Sequence, residues 1–426
     1  MGTLPTGRSV LKPTRVRFGV LAFASTLSIL TYLDRVCISM LAPSIMRDLG
    51  LDKTHMSYVF SAFTLAYGLF EIPTAWWADR SGTRTVLTRI VTWWSCFTMA
   101  TSLAVNYWTL IGVRFLFGIG EAGAWPCVAR TFSRWIPAHE RGTVQGVFFM
   151  GAHLAAGVTP VIVTKLLQYF EWRQIFLMFG ALGFVWAIAW HRWYRDDPRF
   201  HPAVSSAEVE LIEMGRPSDV ASHGLEYWRK LFGNRNILPL CVMYFANTWC
   251  FYFCITWFPA YLREARGFDS MKLGVMAGLP LVASAAGDLF GGVVTDRMSK
   301  LHGLRMGRSG VGAAGYGVAM IAMFGGATVQ NPVIAAILIA VAVAACMFTL
   351  GAAWGVCIDI GGNHSGVVSA AMNTAGQVGG FLSPLVVTYI VERYHVWSAP
   401  IYLMAGLFLI GAIAWLAIDP RERVFQ

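Results

Sequence analysis

Residues 29–40 read ILTYLDRVCISM. An acid and a base, Asp34 and Arg35, stand side by side in a run of Ile, Leu, Val, Cys and Met. If a helix ended near Tyr32, the pair would sit in interfacial water, and the apolar run from Phe18 to Leu33 would be only 16 residues long. A hydrocarbon layer about 30 Å thick needs roughly 20 apolar residues per helix. The apolar pattern resumes at Val36 and reaches Met46, broken only by Pro43. The sequence therefore predicts a span over residues 17–42 with the pair inside it. At that depth each charge costs about 2.5–3.5 kcal/mol by insertion scales, so both must face protein or a watery cavity rather than lipid.

The rest of the chain agrees with a membrane solvent. It has 426 residues, 56% hydrophobic and 13% charged, where soluble domains carry about 25% charged residues. A net charge of +10 does not indicate nucleic acid, because the Lys and Arg cluster in short polar breaks between apolar runs. Arg8, Lys12, Arg15 and Arg17 precede the first run, which is too long for a cleavable leader and reads as an uncleaved first span. The eight Cys are scattered with no CxxC pattern. Cys250 and Cys254 share a helix face but read as packing, so neither a metal nor a cofactor is expected.

Twelve apolar segments follow one another, at 17–42, 55–77, 84–104, 108–132, 142–168, 173–194, 236–262, 271–295, 309–328, 332–357, 365–391 and 397–418. A polar stretch at 195–235 divides them. Within it Ser205 and Glu208 have capping-box spacing, which predicts a short amphipathic helix. The expectation is an all-α membrane protein of twelve transmembrane helices in two pseudo-two-fold-related six-helix bundles, 1–194 and 236–426. The middle loop occupies 195–235. With the N-terminus cytoplasmic, 23 of the 33 Lys and Arg fall in cytoplasmic segments and eight outside, which puts both termini in the cytoplasm.

An internal repeat supports the division. AWWADRSGTR, with Asp79 and Arg80, closes the second expected span, and GGVVTDRMSK, with Asp296 and Arg297, closes the eighth. An acid at a helix end can pair with a neighbouring helix end and latch that side of the membrane. The twelve spans, the middle loop and the ADRSGTR loop, in which Asp79, Arg80, Gly82 and Arg84 keep the signature, resemble the major facilitator superfamily. Ala75 stands for the first Gly of that signature, and Thr83 is inserted. TYLDR, AYGLFEIP, RFLFGIGEAGAWP and MNTAGQVGGFLSP are similar to its anion:cation symporter branch. That resemblance implies carriage of organic anions, often sugar acids, with protons.

Residue chemistry points the same way. Neighbours on a helix diverge by about 100°, so Asp34 and Arg35 are poor partners for each other. In the fourth span Arg114 and Glu121 are seven residues apart, two turns, so they share a face about 10 Å apart. The expectation is two stations facing one cavity, opposite Asp34 and Arg35; the alternative is an ion network that only joins the helices. Arg offers a planar, permanent charge to a carboxylate, which makes Arg35 and Arg114 candidate anion ligands. Asp34 and Glu121 are candidate proton carriers: an anion that occupies the Arg frees a carboxylate to take a proton.

Tyr32, Tyr67 and His153 are further candidates for the binding site, each with a packing role as its alternative. The resemblance adds Asn247, Trp354, Asn373 and Gln377 from the second half. Glu71, before Pro73, reads as structural, and Asp288 has no evident partner. Alternating access by rocking of the halves suits the 43 Gly.

The expected function is import of an organic anion, a hexuronate, aldonate or aldarate, by proton symport. The chain is expected to act as a monomer in a bacterial inner membrane. An anion exchanger would place cations on both halves, yet spans 7–12 hold no Arg, and their one Lys, Lys272, stands at the very start of the eighth. An intramembrane enzyme lacks support: no HExxH and no GxSxG occurs. A sensor without transport would not need the set Asp34, Arg35, Arg114 and Glu121.

Overall fold

A computed structural model of the chain describes residues 13–137, 140–213, 233–361 and 365–424. The described elements are helical. The first, α1 (Val16–Leu49), runs unbroken for 34 residues through Asp34, Arg35 and Pro43, and Gly50, with φ +64°, ends it in a left-handed cap. Next come α2 (Lys53–Ser81), capped by Asp52, whose carboxylate accepts from His55 N at 2.7 Å, and α3 (Thr83–Thr101). The fourth expected span is two pieces, α4 (Tyr107–Glu121) and α5 (Ala124–Trp135). A Cβ on Gly123, at that break, would lie 2.1 Å from Thr74 Cγ2, so only glycine allows the chain to pass α2 there. α6 (Arg141–Leu166) and α7 (Trp172–Trp193) complete the first half.

The polar stretch carries α8 (Ser206–Glu213), the expected short helix. Ser205 Oγ accepts from Glu208 N at 3.3 Å, half of a capping box. The other half is absent, because the Glu208 carboxylate serves a different helix. It accepts from Thr14 Oγ1 (2.5 Å), Val16 N (3.1 Å), Arg17 N (3.2 Å) and Arg17 Nη1 (3.0 Å), satisfying the free amides at the start of α1. Asp196 does the same for α3, accepting from Thr83 Oγ1 and Arg84 N, both at 3.0 Å.

The second half contains α9 (Ile237–Thr256), α10 (Phe258–Glu264), α11 (Ser270–His302), α12 (Val311–Thr328), α13 (Pro332–Met347), α14 (Leu350–Gly361), α15 (Ser365–Tyr394) and α16 (Ser398–Ala417). Each expected span thus coincides with one helix or two consecutive ones. Among the described residues, nine helical segments are long and apolar enough to cross a membrane unaided. α2, α3 and the divided α4–α5 are not among them, because they carry Glu71, Arg84, Arg89 and several Thr, or are too short. Large apolar side chains such as Leu69, Val185, Phe290, Ile321 and Leu416 face outward, which suits lipid and not water.

Within the N-terminal helices α1 packs on α6 and α7, α3 on α7, and α2 on α4; within the C-terminal helices α9 packs on α15 and α16, α12 on α13 and α16, and α11 on α13. The two sets meet chiefly through α6 with α11 and α2 with α15. A Cβ on Gly278 would lie 1.9 Å from Gly157 O, so α11 and α6 touch backbone to backbone there. Of the residues expected to form the latch, Asp79 and Arg80 lie within α2, and their side chains fall outside the described residues. Arg84 donates to His191 O from Nε (2.8 Å) and Nη2 (2.6 Å). Asp296 and Arg297 lie in α11, and Asp296 is 3.4 Å from Arg308 Nη1, which bridges to Asp359 at 3.0 Å from Nε.

Candidate functional site

A cavity of about 470 Å³ lies between the two sets of helices. α1 contributes Tyr32 and Arg35 to its wall, α2 Tyr67 and Glu71, α5 Trp125 and α6 His153. From the other side α9 gives Asn247 and Tyr252, α14 gives Trp354, and α15 gives Asn373 and Gln377. The structure thus brings eight sequence-predicted residues to one space: Tyr32, Arg35, Tyr67, His153, Asn247, Trp354, Asn373 and Gln377.

Among the described residues, Arg35 is the one Lys or Arg on that wall. Its Nε donates to Glu121 Oε1 at 2.8 Å, and its guanidinium carbon lies 4.8, 5.2 and 5.6 Å from the ring centroids of Tyr67, Phe63 and Tyr32. Such an aromatic cage fixes the guanidinium plane. Its Nη2 has no partner among the described residues, so a buried cationic donor remains for a ligand. Glu121 is fully buried and reaches the cavity only through Arg35.

Arg114 departs from expectation: it is buried but does not line the cavity. Its guanidinium carbon sits 4.3 Å from the Phe117 ring centroid, and it is the cation close enough to act on Asp34. Asp34, also off the wall, lies 3.5 Å from the Thr98 hydroxyl. Seven-residue spacing does align Arg114 with Glu121, but α1 presents Asp34 and Arg35 to different neighbours. The result is two layers, Arg35 at the wall backed by Glu121, and Asp34 near Arg114 deeper in the helices. Glu121 feels both guanidinium groups and joins the layers.

Two contacts go beyond the sequence reading. Glu71 lines the cavity and accepts from Asn373 Nδ2 at 2.9 and 3.0 Å. Its position four residues after Tyr67, on the same helix face, was an available signal. Asp288 Oδ2 lies 2.5 Å from His153 Nδ1, and no sequence pattern links residues on α6 and α11. Asn247 donates to Cys346 Sγ at 3.2 Å, while buried Gln377 Oε1 and Tyr67 Oη have no partner among the described residues. No group of three or more metal-ligating side chains occurs among the described residues.

Comparison with known proteins accords with this arrangement. The chain is 33% identical over 408 residues to the probable sulfoacetate transporter of Cupriavidus necator, covering 95% of this chain and 94% of that one. It is 28% identical to the probable galactarate/D-glucarate transporter of Bacillus subtilis (97% and 94% covered) and 29% identical to the D-galactonate transporter of Escherichia coli (96% of each). A crystal structure of a bacterial homologue of the human lysosomal transporter Spinster, inward-facing and unoccupied, superposes with a TM-score of 0.74 at 16% identity, over 96% of this chain and 97% of that one. The same homologue in its occupied inward-facing form gives 0.73 at 18% identity, over 94% and 96%. The model of the Major Facilitator Superfamily matches residues 24–384, and the chain belongs to that superfamily: it is a multi-pass membrane transporter and not an enzyme.

Proposed function

We infer that the chain is a proton-coupled symporter that imports an organic anion of the sugar-acid or small-sulfonate class by alternating access. One observation carries this reading: among the described residues the cavity has a single guanidinium, Arg35, caged by aromatic rings, paired on one side to Glu121 and with a donor left on the other. An anion that docks on Arg35 competes with Glu121 for the same positive charge. Glu121, less well compensated, then takes a proton. Linkage makes the effect mutual, so protonation also favours the anion. Asp34 and Arg114 stand behind as a second carboxylate–guanidinium layer through which the proton is relayed. The hydroxyl and amide groups of Tyr67, Asn247, Asn373 and Gln377 suit a polyol chain, and the relatives named for galactonate, galactarate and sulfoacetate support an anion of these classes.

In this reading the chain is a monomer of two six-helix bundles, 1–194 and 236–426, joined by the loop 195–235. Both termini face the cytoplasm of a bacterial inner membrane, and the halves rock about the cavity. Uptake of labelled galactonate, galactarate and sulfoacetate into proteoliposomes, with and without an imposed inward proton gradient, tests it. Accumulation above equilibrium only with the gradient is expected. Uptake that ignores the gradient but needs an internal anion would make the chain an exchanger and overturn the coupling.

A further inference from the structure

The Arg35 site leaves one buried ion pair unused. His153 Nδ1 lies 2.5 Å from Asp288 Oδ2, and the two residues come from α6 and α11, which pack against each other where the two sets of helices meet. His153 lines the cavity. With Nδ1 against a carboxylate at contact distance, though out of hydrogen-bond alignment, Nε2 is the ring nitrogen left for a ligand. A carboxylate beside one nitrogen orients the ring, and the protonated ring, when it forms, offers its second N–H as a cationic donor. The Tyr32 ring neighbours both this group and Arg35: its centroid is 5.9 Å from the imidazole centroid and 5.6 Å from the Arg35 guanidinium carbon, so the two are at most about 11.5 Å apart, and both line the cavity. A short chain with an anionic group at each end can bridge two cations at such a separation.

We propose that His153, held by Asp288, is a second anion station, and that the transported substrate is a short dianion, a dicarboxylate or sulfocarboxylate, with one end on Arg35 and the other on the imidazolium. This deepens the symporter reading and rests on it. The groups that face the pair leave it free for the task. α1 presents Tyr32 and Arg35, α9 presents the Phe251 ring at 5.9 Å, and Cys346 on α13 is close enough to feel Asp288. Glu71, the remaining carboxylate on the wall, has both oxygens on Asn373. Galactarate, glucarate and sulfoacetate, for which two of the relatives are named, are dianions.

The test compares matched pairs in proteoliposomes: galactarate with galactonate, and sulfoacetate with its carboxamide. Each pair differs by one negative charge. The wild type should prefer the dianion of at least one pair. His153→Gln should lower the ratio of dianion to monoanion uptake about tenfold, the worth of one charge-assisted hydrogen bond. His153→Lys, which restores a cation, should recover the preference. Monodisperse elution in detergent and the amount of protein per vesicle serve as the folding control in each sample. Equal loss of both members, or no loss of either, overturns the second station while the symporter reading stands. Uptake of monoanions and dianions alike by the wild type does the same. Uptake of no member of either pair brings down both.

Discussion

Arg35 and Glu121 lie 86 residues apart and meet at 2.8 Å, and a buried pair of this kind is costly to leave half-made. That makes Glu121 the residue at which coupling and binding can be separated. Glu121→Gln keeps an oxygen that accepts from Arg35 Nε but cannot titrate. Counterflow exchange of a bound anion should therefore survive in this variant, while gradient-driven accumulation should fall at least about tenfold, the factor that corresponds to losing one 1.4 kcal/mol driving term. Loss of both together would mean that Glu121 only holds Arg35 in place. The pair was half legible in advance. An ionisable side chain amid apolar neighbours announces itself by its cost, which is how Asp34, Arg35, Arg114 and Glu121 all stand out. Their pairing does not announce itself, because it depends on how α1 is rotated against α4, and periodicity along one helix carries no information about its rotation relative to another. Arg114 was misplaced on the cavity for that reason, and Asp288 was left without its histidine.

At the scale of elements, helix existence follows from apolar run length and cap residues, and Asp52, Asn106, Asp269 and Asn331 cap the helices they precede. Caps supplied from afar are different. Glu208 looks like the end of a local capping box, yet its fully buried carboxylate closes the start of α1, 191 residues away in sequence at Arg17 N. Sequence spacing sees only the local option. α8 is therefore a clamp on the first span, and Glu208→Ala removes a buried acceptor from Val16 N, Arg17 N and the Arg17 guanidinium at once. Leaving those donors unsatisfied costs on the order of 2 kcal/mol. The thermal unfolding midpoint in detergent should drop by a few degrees, with the transport rate per folded molecule unchanged, since Glu208 is remote from the cavity wall. An unaltered midpoint would show that α8 merely lies alongside α1.

Across the whole molecule, the contacts between the N-terminal and C-terminal helices are unevenly placed. At the end of the bundle opposite both termini, Lys53 Nζ is 2.5 Å from Glu264 Oε2 and 5.4 Å from the Trp397 ring centroid; Thr54 hydrogen-bonds Glu392, and Ser61 donates to Phe381 O at 2.8 Å. The Gly157–Gly278 backbone contact adds apolar packing between the same two sets of helices. The Lys53–Glu264 pair is partly exposed and contributes at most about 1 kcal/mol, so the closure is one that thermal motion can undo. Alternating access requires this end to part in each cycle. Lys53→Cys with Glu264→Cys, made where the exposed Cys96 has been replaced by Ser, places two thiols across the closure. An oxidised crosslink should stop transport, and a reductant should restore it to the rate of the unlinked double variant. Each single-cysteine variant should be indifferent to oxidant. Full transport with the crosslink in place would mean that the end held by Lys53 never opens, and the pathway would then have to leave the cavity by another route.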